Sequence, residues 1–209
     1  MSKQPTSALP RVLCVMLIDS SGSMSSKESA TEKGFNAYVE TIQGVTAGAF
    51  LSLYFFDYSI RRVVEYVPAC DVGPTLFRNH FRVGGGTAMC QSVNALIDAT
   101  EAAIAGDPNP PKVVMCIMTD GEEIKHDHWP DLRKRMAEKQ KQGWQFNYLG
   151  AGVNSVEAAS WMGIPTDNAM TYSLSGASTV DAFKRVARAA LRYASGRTTQ
   201  ASIKGKEAK

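Results

Sequence analysis

Asp19, Ser21 and Ser23 alternate along the stretch VMLIDSSGSMSS, residues 15–26, where an apolar run gives way to small hydroxyl residues. Alternate positions in one tight turn can point their side chains at a common centre, and Gly22 permits the bend. Two further polar positions stand in comparable places. Asp120 follows the apolar run VVMCIMT (113–119), and Thr87 follows three glycines at 84–86. The five positions supply two carboxylates and three hydroxyls. An oxygen-only set of this kind selects Mg²⁺, Mn²⁺ or Ca²⁺ over softer metals. The plainer reading is a polar turn in which Ser23 or Ser25 caps the following helix.

Other chemistry-bearing residues give weaker signals. Glu122 and Glu123 adjoin Asp120 and are candidates to orient its water. His126 and His128 flank Asp127 without further local ligands and read as a solvated loop, while His80 stands alone and reads as structural. Nucleophilic catalysis lacks its markers: there is no G-x-S-x-G elbow, and no histidine is suitably placed after Ser23. Phosphate-binding glycine motifs of the Walker and dinucleotide types are also absent. A haloacid-type phosphatase would need a second acid at position 21, which is serine.

The elements that must hold these residues are legible from hydrophobic pattern. RVLCVMLID (11–19) and VVMCIMT are continuously apolar, as strands buried on both faces of a parallel sheet are. FLSLYFF (50–56) and IRRVVEYV (60–67) are three residues apart, too close for a parallel crossover, so they form an antiparallel hairpin. The three charges of the second strand suit a sheet edge. Phe35, Tyr38, Val39 and Ile42 share one helical face, as do Val93, Leu96, Ile97 and Thr100. Pro130 and Gly143 bracket a charged surface helix. A strand over 144–150, a short helix over 155–162, a strand over 169–174 and a helix through Val180, Phe183, Ala187, Ala190 and Ala194 complete the order. The alternation predicts an α/β, three-layer, doubly wound and mostly parallel six-stranded sheet. It has one antiparallel edge strand and helices on both faces. In such sheets ligands bind at the carboxyl ends of the strands, where Asp19, Thr87 and Asp120 fall. The expected organisation is an N-terminal extension over 1–10, one domain over 11–195, and a flexible basic tail over 196–209. That tail offers a single large apolar residue, Ile203.

Asp19-Ser20-Ser21-Gly22-Ser23, then Thr87 after GGG, then Asp120 in TDG, resembles the von Willebrand factor A (vWA) domain and its metal-ion-dependent adhesion site. The likeness spans roughly residues 11–195 and implies a vWA, Rossmann-like fold. DSSGSM and YLGAGVNS are similar to small bacterial or phage single-domain members. The resemblance implies that Ser21, Ser23 and Thr87 bind the metal directly through their hydroxyls. Asp19 and Asp120 act through the metal's water shell or one direct bond. It further implies a non-enzymatic protein-binding module, in which the metal bridges to an Asp or Glu of a protein partner. The expected cytoplasmic location rests instead on the lack of a signal core and of a membrane-spanning segment.

Bulk properties agree with a soluble fold. The chain has 209 residues, 44% apolar, with a net charge of +3. Residues 184–209 carry +7 and the remainder −4. No apolar segment is long enough to span a membrane, and the N-terminus lacks an apolar signal core. Four cysteines without C-x-x-C spacing are expected to be reduced thiols, with Cys14 and Cys116 in the core. Two alternatives to the binding module remain open: a metal-dependent hydrolase on the same scaffold, and a nucleic-acid-associated protein using the basic C-terminal end.

Overall fold

The computed structural model describes residues 11–44, 48–121, 129–151, 155–173 and 176–204. Six strands form one sheet in the order β3-β2-β1-β4-β5-β6. They are β1 (Val12–Asp19), β2 (Ala49–Phe56), β3 (Ile60–Pro68), β4 (Lys112–Thr119), β5 (Gln145–Gly150) and β6 (Ala169–Thr171). All pairings are parallel except β2 with β3, which closes as the expected hairpin with Phe56 opposite Ile60. The helices are α1 (Glu28–Gln43), α2 (Leu76–His80), α3 (Met89–Ile104), α4 (Trp129–Lys141), α5 (Ser155–Trp161) and α6 (Gly176–Ala194).

Every residue of β1 is buried, which explains its unbroken apolar sequence. Its side chains alternate between two cores. Val12, Cys14, Met16 and Ile18 pack with Phe35, Tyr38 and Ile42 of α1 and Phe183, Val186 and Ala190 of α6. Leu13, Val15 and Leu17 face Val93, Leu96 and Ile97 of α3 and Leu132 and Met136 of α4. Gly34 lets α1 and α6 close: a β-carbon there would lie 2.5 Å from the Phe183 ring. Pro130 sits in the first turn of α4, and Gly143, at φ +90°, follows its end. β6 is shorter than the sequence suggests, three residues against six, because its only partner is β5 and it lies at the sheet edge.

Residues 196–204 depart from the expected free tail. Ala201 and Ile203 are 0% and 2% exposed. The amides of Ile203 and Lys204 donate to Asp167 O at 2.9 and 3.1 Å, and the Ala201 amide donates to Gln145 Oε1 at 3.1 Å. Composition suggested disorder because the segment has little to bury. Burial of Ala201 and Ile203, together with these backbone bonds, holds it. The remaining expected tail, 205–209, and the N-terminal extension lie outside the described residues.

None of the four cysteines is in a disulfide. Burial pushes the Cys14 thiol up to about 11 and raises that of Cys116 further. No described helix is long and apolar enough to cross a membrane.

Candidate metal centre

β1 and β4 are neighbours that lead away to opposite sides of the sheet, so their carboxyl ends open a crevice at the point where strand order reverses. Asp19 ends β1 and Asp120 follows β4. Asp19 is fully buried. Its Oδ1 accepts the Ser21 amide at 2.7 Å, and its Oδ2 accepts the Thr119 hydroxyl at 2.6 Å. The chain then turns into a 3₁₀ segment, Gly22–Lys27, before α1 begins. This turn brings Ser21 Oγ and Ser23 Oγ within 3.0 Å, and Ser23 Oγ donates to Asp120 Oδ1 at 2.8 Å.

The glycine loop forms the third wall. It is stitched down by backbone bonds from Gly84 N–H to Ser20 O, from Gly22 N–H to Gly85 O and from Ala88 N–H to Asp57 O. Gly85 adopts φ +68°, a left-handed conformation that disfavours any side chain. Thr87 Oγ1 faces Gly121: a β-carbon on Gly121 would stand 3.4 Å from Thr87 Oγ1 and 3.9 Å from Asp19 Oδ2. Gly121 therefore lies within ordinary contact distance of both Thr87 and Asp19. Ser21, Ser23 and Asp120 are thus linked side chain to side chain, and Thr87 and Asp19 both approach Gly121.

The serines do not cap helices. Neither Ser21, at the start of the 3₁₀ turn, nor Lys27, at the start of α1, makes a side-chain capping bond. Ser20, which the sequence singled out only as part of a hydroxyl-rich run, has a different task. Fully buried, it donates to Phe56 O at 3.0 Å and accepts from Arg61 at 3.1 Å. Arg61 also donates to Arg82 O at 3.0 Å, tying the hairpin to the glycine loop.

Two residues of the site had no signal in the sequence reading. Thr119 orients Asp19, and its only cue is adjacency to Asp120. Lys27 forms an ion pair with Asp120 Oδ2, and the two side chains are 15% and 0% exposed. Burial raises the pKa of Asp19, opposed by its bonds to Thr119 and Ser21 and by the Lys27 charge. Burial lowers that of Lys27, opposed by Asp19.

Among the described residues no three His, Cys, Asp or Glu side chains come together as a metal group. The centre holds two carboxylates and otherwise hydroxyls. Glu122, Glu123, His126 and His128 lie outside the described residues. His80 ends α2, with Nδ1 2.8 Å from Leu76 O. Tyr58 is the most exposed large apolar side chain described, at 73%, and its ring lies against the glycine loop. A β-carbon on Gly86 would come within 2.7 Å of it.

No protein-family model and no curated protein sequence matches the chain. Solved structures match it in fold. A von Willebrand factor type A protein from Catenulispora acidiphila superposes with a TM-score of 0.66 at 18% identity, over 87% of this chain and 43% of that one. Proximal thread matrix protein 1 from the mussel byssus, in a structure with a zinc-occupied MIDAS motif, gives 0.67 at 16% identity, over 83% and 46%. The von Willebrand factor domain of the pilus tip protein Mfa5 from Porphyromonas gingivalis gives 0.65 at 10% identity, over 87% and 95%. The chain spans less than half the length of the first two. The fold is therefore that of vWA domains.

Proposed function

We propose that the chain is a divalent-metal-dependent protein-binding module. Ser21, Ser23 and Thr87 would hold the metal through their hydroxyls, and Asp19 and Asp120 would order its water. The observation that carries this reading is the convergence of hydroxyls unused as helix caps on two buried carboxylates. The donors are all oxygen, which fits Mg²⁺, Mn²⁺ or Ca²⁺. Asp19 already accepts a bond at each oxygen, which suits an orienting role better than a direct ligand. A bound metal supplies a Lewis-acidic position for an Asp or Glu of a partner, because neutral hydroxyls leave much of its charge uncompensated.

This chain's residues would shape that encounter. Ser23 lies exposed at the mouth, whereas Asp19 and Ser21 are buried beneath it. Tyr58, seated on the glycine loop, adds an apolar contact beside the opening. The zinc-occupied motif of the mussel protein and the adhesive setting implied by a pilus tip protein support a binding role. Binding is proposed over hydrolysis because the sequence carries no G-x-S-x-G elbow to expose a nucleophilic serine.

Calorimetric titration with Mg²⁺ and Mn²⁺ tests the site. The expected result is one metal per chain, lost in Ser21→Ala and Ser23→Ala proteins that fold normally. Captured partners should release with EDTA. Full-strength partner binding by Ser21→Ala in EDTA would return the serines to a purely structural role.

A further inference from the structure

Lys27 is not among the proposed ligands, yet its ammonium lies against the site. Asp120 Oδ1 is turned to Ser23, and its buried Oδ2 is turned to Lys27. Asp19, fully buried on the other side, also feels the Lys27 charge. Two buried carboxylates in one pocket repel each other, and each is unfavourable without a compensating cation. Lys27 supplies that cation from a fixed base, the last residue of the 3₁₀ turn that carries Ser23. Its four-carbon stem and strongly hydrated ammonium allow the charge to leave again. The exit is near, because Ser25 and Ser26 beside it are exposed.

Building on the metal-centre reading, we propose that Lys27 is a tethered competitor of the metal. Its ammonium takes Asp120 Oδ2 when no divalent cation does, and metal loading displaces it. One carboxylate oxygen cannot hold an ammonium and organise a metal's water shell in the same place. The device has two consequences. The acids remain compensated without metal, so the site does not fly apart. The apparent metal affinity is reduced by the fraction of time the ammonium is in place. If that fraction is about 90%, the reduction is about tenfold.

The test uses the full chain and Mn²⁺ alone. Lys27→Met keeps the apolar stem and removes the charge. Calorimetry should then show Mn²⁺ binding about tenfold tighter than wild type. The thermal midpoint in EDTA should fall, and its rise on adding Mn²⁺ should grow. Lys27→Arg, which keeps a cation, should stay near wild type. Lys27→Gln serves if the methionine variant does not fold. Equal or weaker Mn²⁺ binding by the charge-removed variants, with wild type binding normally, overturns the competitor role and makes Lys27 a plain structural partner. Absence of Mn²⁺ binding by wild type and variants alike overturns the metal-centre reading, and the competitor role with it.

Discussion

The two ends of the sheet treat their acids in opposite ways. At the carboxyl end, Asp19 is fully buried with two hydrogen-bond donors, no direct cation, and a raised pKa. At the amino end, Asp107 is gripped by Arg11, whose two terminal nitrogens lie 3.0 and 2.9 Å from its oxygens. The Asn109 amide at 2.9 Å and the Tyr66 hydroxyl add to the grip, and the Asp107 carboxyl is held well below the usual carboxylate range. Arg11 also bonds the Tyr66 hydroxyl at 2.6 Å and lies over the Phe50 ring. The same end carries the docked segment 200–204 and Lys112, which donates to Tyr193 O at 2.9 Å. A planar guanidinium saturates a carboxylate bidentately and leaves nothing to recruit. Short hydroxyls and one displaceable ammonium leave an acid pair receptive. One end closes the fold, and the other is left for a ligand.

If that contrast holds, substitutions at the carboxyl end should change binding and those at the amino end should change stability. The largest effect is expected from Ser21→Ala, which removes a proposed direct ligand and should weaken Mn²⁺ binding by more than about a hundredfold, the upper end for loss of a group that only orients a ligand. Its thermal midpoint should move by less than about 3 °C. A large midpoint shift with unchanged metal affinity would reverse the contrast. Next comes the docked segment. Ile203→Ala should cost about 2 kcal/mol, at the low end for a buried aliphatic truncation because the site is peripheral. Deletion of 200–209 should cost more, since backbone bonds to Asp167 and Gln145 go too. Both should leave Mn²⁺ affinity unaltered, as urea unfolding and calorimetry would show.

The acid limb of stability sharpens the comparison. Asp107 has a depressed pKa when folded, so its contribution is present above the ordinary carboxylate value of about 4 and is lost as pH falls below it. Asp107→Asn should therefore lower stability at neutral pH and flatten the decline below about pH 4. A parallel decline in both proteins would detach Asp107 from the acid limb. The smallest effect belongs to Tyr58→Ala. A ring that is 73% exposed should change stability by under about 0.5 kcal/mol. Reduced partner binding with intact Mn²⁺ binding would mark the ring as a contact, and unchanged partner binding would confine the interface to the metal.

The sequence by itself determined the alternation of strands and helices and the hairpin, and it named the five candidate positions. Each is written in local pattern. Continuous apolar runs mark doubly covered strands, three-residue spacing forces an antiparallel turn, and alternation at 19, 21 and 23 follows from one tight bend. Their shared location at the carboxyl edge follows from the topology of parallel sheets. Tertiary structure alone decided three other things. Lys27, eight residues past Asp19, looks like a solvated helix start until Asp120 arrives from 93 residues away to meet it. Arg11 and Asp107 are 96 residues apart and are joined because the amino end of β1 and the turn after α3 meet. The segment after Gly196 is too polar to order itself, and it is held because Asp167 and Gln145 present a carbonyl and an amide oxygen to its backbone. Local pattern reports which face of an element is apolar. It carries no record of which charge or carbonyl a distant part of the chain will bring to that face.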